Sequence, residues 1–453
     1  MKTKRLWLPV LGAALLVGSW GGMSNAASAY THANAPAGKI KISNCGGKGT
    51  VKFMFWGDKG DLAAQTASIK AAEKACPGLH VIADWHQSDY DTALKTAIGS
   101  GNAPDLFQLD GSKRVPQYAT EGALAPIDSY IKRDKINLSK IFFKTCLGEM
   151  SYKGKTYGLM RSCGNQKILF YNKDMFDAKK LKYPTNSWTL ADFSKAAQKL
   201  SGNYSTSSDP TSTLRYGWGW HSDDFGMETM LYQYGADWLS KNLKQCTLTT
   251  PAARAAFTWW HNLRWNLHGA ATPSQAGGDW FGGFQNGTVG MTFAGAWAED
   301  YLFNHSPGST GAPVKFKWGA ALLPKGPKTR LGIMAATAEV VSKTSKNKNA
   351  AYWLARFITE GQGAVLMGAS GADTPGAKAL WNAPAVKKEF GSLLSVALLA
   401  NNYGRTPRLV PQYDDFSSTI QSAMDNYWNS ASGSVNDATS KACADVTSKG
   451  LLG

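Results

Sequence analysis

The sequence predicts an α/β protein of two domains, each a mostly parallel sheet flanked by helices. Short apolar runs alternate with amphipathic ones, the order expected of a parallel sheet with helices on both faces. The apolar runs stop at glycine and open into polar loops, the position where open α/β sheets bind ligands. A chain of 453 residues also exceeds one ordinary domain.

Residues 1–29 read as an export signal. Lys2, Lys4 and Arg5 form a charged start, Leu6 to Gly18 is apolar, and Ala27-Ser28-Ala29 supplies the small-x-small cleavage pattern. The apolar stretch is short for a spanning helix, although an uncleaved anchor stays open. The nearest cysteine, Cys45, lies well past the cleavage site, so no lipid attachment is expected. The protein is therefore expected to be secreted across the cytoplasmic membrane. Residues 30–48, rich in Ala, Gly, Ser, Asn and Lys, read as a flexible tether.

The first strand ends in Phe53-Met-Phe-Trp-Gly-Asp-Lys-Gly60. It brings an indole (Trp56), a carboxylate (Asp58) and an ammonium (Lys59) to one strand end. That combination suits a polyhydroxylated, partly apolar molecule such as a sugar. The plainer alternative is a buried strand with a solvated turn. A helix is expected over Leu62–Ala75, a second strand over Leu79–Trp85, and a helix over Tyr90–Ser100. A third strand, Pro104–Gln108, runs into the polar loop Asp110–Arg114. A hairpin, Tyr152–Tyr157, precedes Lys167–Phe176, a strand turning into a helix. Thr189 is placed to cap the next helix, and Pro251 opens another over Pro251–Leu267. Strands are expected at Tyr216–Trp220, Val289–Phe293 and Lys317–Leu322, and a largely helical tail over Ser417–Lys449.

Catalytic signatures are weak or absent. There is no His-Glu-x-x-His, phosphate loop or dinucleotide fingerprint. Gly368-Ala-Ser-Gly-Ala372 misplaces the second glycine of a nucleophile elbow. Asp58, Asp105, Asp110, Asp223, Asp224, Asp279, Glu299 and Asp300 offer carboxylates for a glycosidase pair, but spacing does not show which face each other. The cysteines lack metal-ligand spacing, and no cofactor is expected. Tryptophan is plentiful, 17 in all. Trp56, Trp85, Trp218, Trp220, Trp280 and Trp297 sit beside small or polar residues at expected strand ends, where an indole can stack on a sugar. Trp353, on an apolar helix, reads as core.

Six cysteines in an exported chain suggest disulfides, with 15 possible pairings. Cys45 precedes the first strand and Cys76 ends the helix that returns beside it. Cys146 and Cys163 flank the hairpin, and Cys246 and Cys443 remain. The formal net charge of +17 is dispersed, with a mild cluster at Lys343, Lys346 and Lys348. Dispersed charge is a solvated exterior rather than a nucleic-acid site.

The order of these pieces resembles the extracellular solute-binding proteins of ABC importers, in the carbohydrate branch that includes maltose-binding protein. The resemblance covers nearly all of residues 49–430. Trp56–Gly60 is similar to the family's first ligand loop and Pro104–Asp110 to its second. The passage Tyr152–Gly158 followed by Leu169–Phe176 is the most specific match. Phe284–Phe293 with Gly295-Ala-Trp297 resembles the segment whose Trp stacks on sugar. Where some relatives keep an acidic residue after the hairpin, this chain has Arg161-Ser-Cys-Gly-Asn165.

The resemblance implies a two-lobed periplasmic-binding-protein fold of type II. Residues 49–160 and 327–370 would form one lobe, and 161–326 with 371–453 the other. The ligand would be a carbohydrate, held in the cleft and delivered to a membrane permease by a monomeric receptor. Implied ligand residues are Trp56, Asp58, Lys59 and Asp110 from one lobe. Asn165, Trp280 and Trp297 come from the other, with Arg405 and Tyr413 as further candidates. Two rival readings stay open: an exported glycoside hydrolase and a cell-wall polysaccharide adhesin.

Overall fold

The computed structural model describes Cys45 and residues 48–219, 223–276, 280–303, 313–371 and 373–453. The expected export signal and nearly all of the tether lie outside the described residues, as does Trp220. Among the described residues, no helix is long and apolar enough to cross a membrane.

The first strands are β1 (Gly49–Trp56), β2 (Leu79–His86), β3 (Leu106–Asp110), β4 (Ser151–Tyr152), β5 (Lys155–Thr156) and β6 (Gly158–Asn165). Next come β7 (Ile168–Asn172), β8 (Gly202–Tyr204), β9 (Thr213–Gly219), β10 (Ala270–Ala271) and β11 (Val289–Ala294). The last three are β12 (Trp318–Leu322), β13 (Gly332–Val341) and β14 (Gly404–Arg405). One sheet has the order β14-β13-β3-β1-β2, with β6 also on β13. The other has the order β10-β9-β11-β7-β12, with β8 on β9. The expected hairpin is the separate pair β4–β5.

The strands joined by local crossovers are parallel, as predicted: Phe53 lies opposite both Ala83 and Leu106. The strands that return from the other sheet are antiparallel. Val340 of β13 faces Phe107, and Phe293 of β11 faces Leu169. A chain re-entering a sheet from its far end has no crossover helix to restore its direction.

Local chemistry sets the helix starts. Thr189 Oγ1 accepts from Asp192 N, and Thr189 N donates to the Asp192 carboxylate in return, a capping box. Thr250 caps the helix that Pro251 opens. Asn172 Oδ1 accepts from Met175 N at 3.1 Å and turns β7 into its helix. All three disulfides pair as expected: Cys45–Cys76, Cys146–Cys163 and Cys246–Cys443.

β6 pairs with β13 of the first sheet through Asn165. Residues 378–400 bury Leu380, Trp381, Val386, Phe390 and Leu393 in a core that also takes Phe53 and Leu106 of the first sheet and Phe170 and Leu322 of the second. The tail joins the second core with Val410, Tyr413, Phe416, Ile420 and Trp428. Apolar helices fit either core by composition, so the sequence alone did not assign them.

The two sheets are linked by the short turn between β6 and β7 and by the segment from β12 to β13. Asn165 fastens the first of these. Its Nδ2 donates to Ala400 O at 2.9 Å and Tyr403 O at 3.3 Å, and its Oδ1 accepts from Lys167 N at 3.0 Å.

Candidate ligand cleft

The strand end that opened the sequence argument leads straight into the site. Gly57 takes φ +140°, and a Cβ there would lie 2.2 Å from Asp61 Cβ. The left-handed turn brings Asp61 back, where its Oδ2 accepts from Asp58 N at 3.0 Å. Asp58 Oδ1 in turn accepts from Gly60 N at 2.7 Å and Asp61 N at 3.0 Å. Asp58 is thus the N-cap of the helix Lys59–Ala75, and Asp61 completes a capping box. The spacing of Asp58 and Asp61 carried that signal in the sequence.

Beside this turn lies a cavity of about 230 Å³ whose lining includes Trp56, Asp61, Asp110, Arg161, Trp297 and Tyr301, with Phe225 and Asp373 also on its wall. The first sheet and its loops supply Trp56, Asp110 and Arg161. The second-sheet side supplies Phe225, Trp297 and Tyr301. A larger groove of about 650 Å³ shares Trp56 and Asp110 and runs past Tyr90, Lys113, Arg114 and Asp414.

Each indole is held. Trp56 meets the Tyr90 ring edge-on at 5.0 Å. Trp297 Nε1 donates to Gln166 Oε1 at 2.7 Å, and its ring packs on Phe281 and Tyr301, each at 5.7 Å. Gly295 makes room for that pose, since a Cβ there would sit 2.4 Å from the Trp297 ring.

The charges are heavily buried and mutually dependent. Arg161 Nη2 lies 3.0 Å from Asp373 Oδ2, and its Nε lies 3.8 Å from Glu339 Oε1. Gln108 Nε2 donates to Glu339 at 3.1 Å, while Gln108 Oε1 accepts from Trp56 N at 3.2 Å. Burial pushes the Asp61 carboxyl up to about 7, with Arg161 opposing the shift. Burial likewise pushes Glu339 up to about 8, again against the pull of Arg161. Burial lowers Lys167 to about 8, although Asp223 and Asp224 favour its charge.

Two ion pairs cross the groove. Lys113 Nζ lies 2.8 Å from Asp224 Oδ2 and 4.3 Å above the centroid of the Phe225 ring. Arg114 Nη1 lies 3.0 Å from Asp414 Oδ2. Burial works against the Lys113 ammonium, but Asp110 and Asp224 more than offset it and hold its pKa above the usual lysine value.

The structure brings Trp56, Asp110 and Trp297 together at the cavity. Asp58, Lys59, Asn165, Arg405 and Tyr413 are not among the residues that line it. Asp58 is spent on the helix cap. Lys59 is exposed on the first turn of that helix. Asn165 is buried in the link between the sheets. Arg405 pairs with Asp237 and lies over the Tyr232 ring. Tyr413 is buried beneath the groove, its ring 5.9 Å from Lys113 Nζ. Trp280 opens a short helix, and its side chain lies outside the described residues. Trp218 is core, packed on Phe193 and Trp260. Sequence reasoning missed Asp61, Lys113, Tyr301 and Asp373 and took Arg161 only as a departure from pattern. Tyr301 had one usable signal, its i+4 spacing from Trp297. Asp373 had none, because it arrives from a distant part of the chain. Among the described residues, no group of three or more His, Cys, Asp or Glu is arranged to hold a metal ion.

This architecture, two sheets joined by short links with a polar, aromatic-walled cavity between them, is that of a two-domain solute receptor. The chain belongs to the bacterial extracellular solute-binding protein family, whose model matches residues 56–365. A binding protein of Brucella abortus strain 2308 is 26% identical over 299 residues, 64% of this chain and 66% of that relative's length. The maltotriose-binding protein of Pyrococcus abyssi is 23% identical over 48% of this chain and 44% of its own length. Among solved structures, the chain is similar to an ABC substrate-binding protein of Listeria monocytogenes in complex with cycloalternan. That likeness has a TM-score of 0.76 at 24% identity, covering 89% of this chain and all of the other.

Proposed function

We propose that this chain is an exported saccharide receptor of an ABC importer. It grips a neutral mono- or oligosaccharide between two lobes and presents the closed form to a membrane permease. The observation that carries this reading is the cavity walled by an indole from each side, Trp56 and Trp297, with Asp61, Asp110 and Arg161 at its polar edge. Indole faces suit the C–H surfaces of a sugar ring, and its hydroxyls take the carboxylates and the guanidinium. The relatives reported with maltotriose and cycloalternan support a carbohydrate ligand.

The lobes divide at the links between the sheets: 49–165 with 332–400 on one side, 168–322 with 413–453 on the other. Closure is favoured because the ligand touches both, so its affinity differs between open and closed states. The receptor works outside the cytoplasmic membrane, as a monomer, and releases its ligand unchanged rather than cleaving it. Trp56, Asp61, Asp110 and Trp297 contact the ligand in this reading.

Titration calorimetry with a panel of mono- and oligosaccharides, followed by product analysis, tests it. Saturable one-to-one binding with the sugar recovered intact is expected. Cleaved sugar would establish the hydrolase instead, and binding confined to insoluble wall polymer the adhesin.

A further inference from the structure

The floor of the cavity holds a cation that the family resemblance does not assign. Arg161 lines the cavity between the two indoles, with only 5% of its side chain exposed. Its Nη2 is committed to Asp373 at 3.0 Å. Its Nε and Nη1 find no hydrogen-bond partner among the described residues. Leaving N–H groups of a buried guanidinium unsatisfied is costly, more so than for a neutral donor. Arg161 is fixed in place on β6, which pairs with β13 on the same sheet. Its position is therefore set before any ligand arrives, while two of its buried nitrogens, with three N–H donors between them, stay without a hydrogen-bond partner.

Resting on the saccharide reading above, we propose that Arg161 is a specificity-determining residue. Its guanidinium donates to the hydroxyl or ring oxygens of one neutral sugar ring, while Asp61 and Asp373 accept from that ring's hydroxyls. Asp373 already balances the charge of Arg161, and Asp61, Asp110 and Glu339 stand close by. A carboxylated or phosphorylated sugar would meet those carboxyl groups with no cation to spare. A neutral ring presents acceptors to the fork and donors to the carboxylates at once. The +17 charge of the whole chain would by itself draw anionic ligands, but the Arg161 guanidinium lining this cavity is already paired with Asp373.

The test uses the full chain and Arg161→Lys, titrated with maltotriose, cycloalternan, D-tagatose and D-glucuronate. Lysine keeps the charge beside Asp373 but loses the planar fork. At least one neutral saccharide should bind the wild type, and Arg161→Lys should weaken it about 10- to 100-fold with little change in Tm. Glucuronate should not compete. Equal affinity in the two proteins, or glucuronate binding as tightly as the neutral sugar, overturns the proposal. If Arg161→Lys does not fold, a crystal structure of the wild-type complex decides. A ligand oxygen within hydrogen-bond distance of Nε or Nη1 supports the assignment, and its absence there refutes it. No saccharide bound by the wild type at all would instead bring down the saccharide reading on which the proposal stands.

Discussion

Replacing Lys113 with methionine should separate closure from folding. Lys113 projects from the helix Gly111–Thr120 on the first-sheet side and meets Asp224, the first residue of the helix Asp224–Gln233 across the groove. The pair is 2.8 Å apart, with side chains 21% and 10% exposed. Methionine keeps the stem against Phe225 but removes the ammonium, leaving Asp224 near Asp110 and Asp223 without it. Removing one partner of a fully buried pair costs about 3–5 kcal/mol. Partial exposure reduces that to about 1.5–3 kcal/mol, roughly 10- to 100-fold in the ratio of closed to open molecules. In the proposed two-lobed reading the contact exists only when the two sides meet, so the loss falls on the closed state. Calorimetry should show saccharide affinity down by about that factor, because apparent affinity scales with the competent population. Small-angle X-ray scattering should show a more extended protein before ligand is added. Unchanged affinity together with an unchanged radius of gyration would refute the argument that this ion pair fastens the cleft.

Three further outcomes are expected. Trp297→Ala should weaken saccharide binding roughly tenfold or more, the scale of a buried aromatic anchor, with circular dichroism unchanged; calorimetry reads the loss. Asn165→Ala should act on stability instead. It orphans the carbonyls of Ala400 and Tyr403, costs about 1–3 kcal/mol, and should lower Tm measurably in a thermal melt. Glu299→Gln should flatten the dependence of stability on pH. Burial first, and then the neighbouring Glu389, raise the Glu299 carboxyl above its ordinary 4.5. The folded chain then holds a proton that the unfolded chain releases, so stability falls as pH rises from 4.5 toward the raised folded value. Glutamine is neutral throughout, so the drop in Tm between pH 5 and pH 8.5 should be smaller in the variant than in the wild type. Equal drops would show that the Glu299 carboxyl is not raised above its ordinary value in the folded protein.

How much of the site was legible depended on how local each residue's task was. Trp56 ends β1 just before Gly57, Trp297 follows β11 and Gly295, and both reach the cavity. Asp58 was legible in a different sense: Asp61, three residues on, marks a capping box, and that geometry turns the Asp58 carboxylate toward the helix rather than the ligand. Asn165 looked like a donor to a hydroxyl because it is polar and near the crossover. Its partners, Ala400 and Tyr403, are more than 200 residues away and invisible to spacing. Arg161 appeared only as an irregularity, because what makes it interesting is burial beside Asp373 and two nitrogens without a hydrogen-bond partner.

Many of the strands and helices, the helix caps, the Cys45–Cys76 and Cys146–Cys163 disulfides and the aromatic strand ends follow from short-range rules of backbone geometry and periodicity; β6, β13 and the Cys246–Cys443 pair, whose members stand 197 residues apart, do not. Which helices join which core, which carboxylates face one cation, and which polar groups are consumed by the scaffold depend on distant segments meeting in space. Those meetings are set by the summed burial of two cores and the pairing of buried charges, terms to which no single stretch of sequence contributes enough to be read alone.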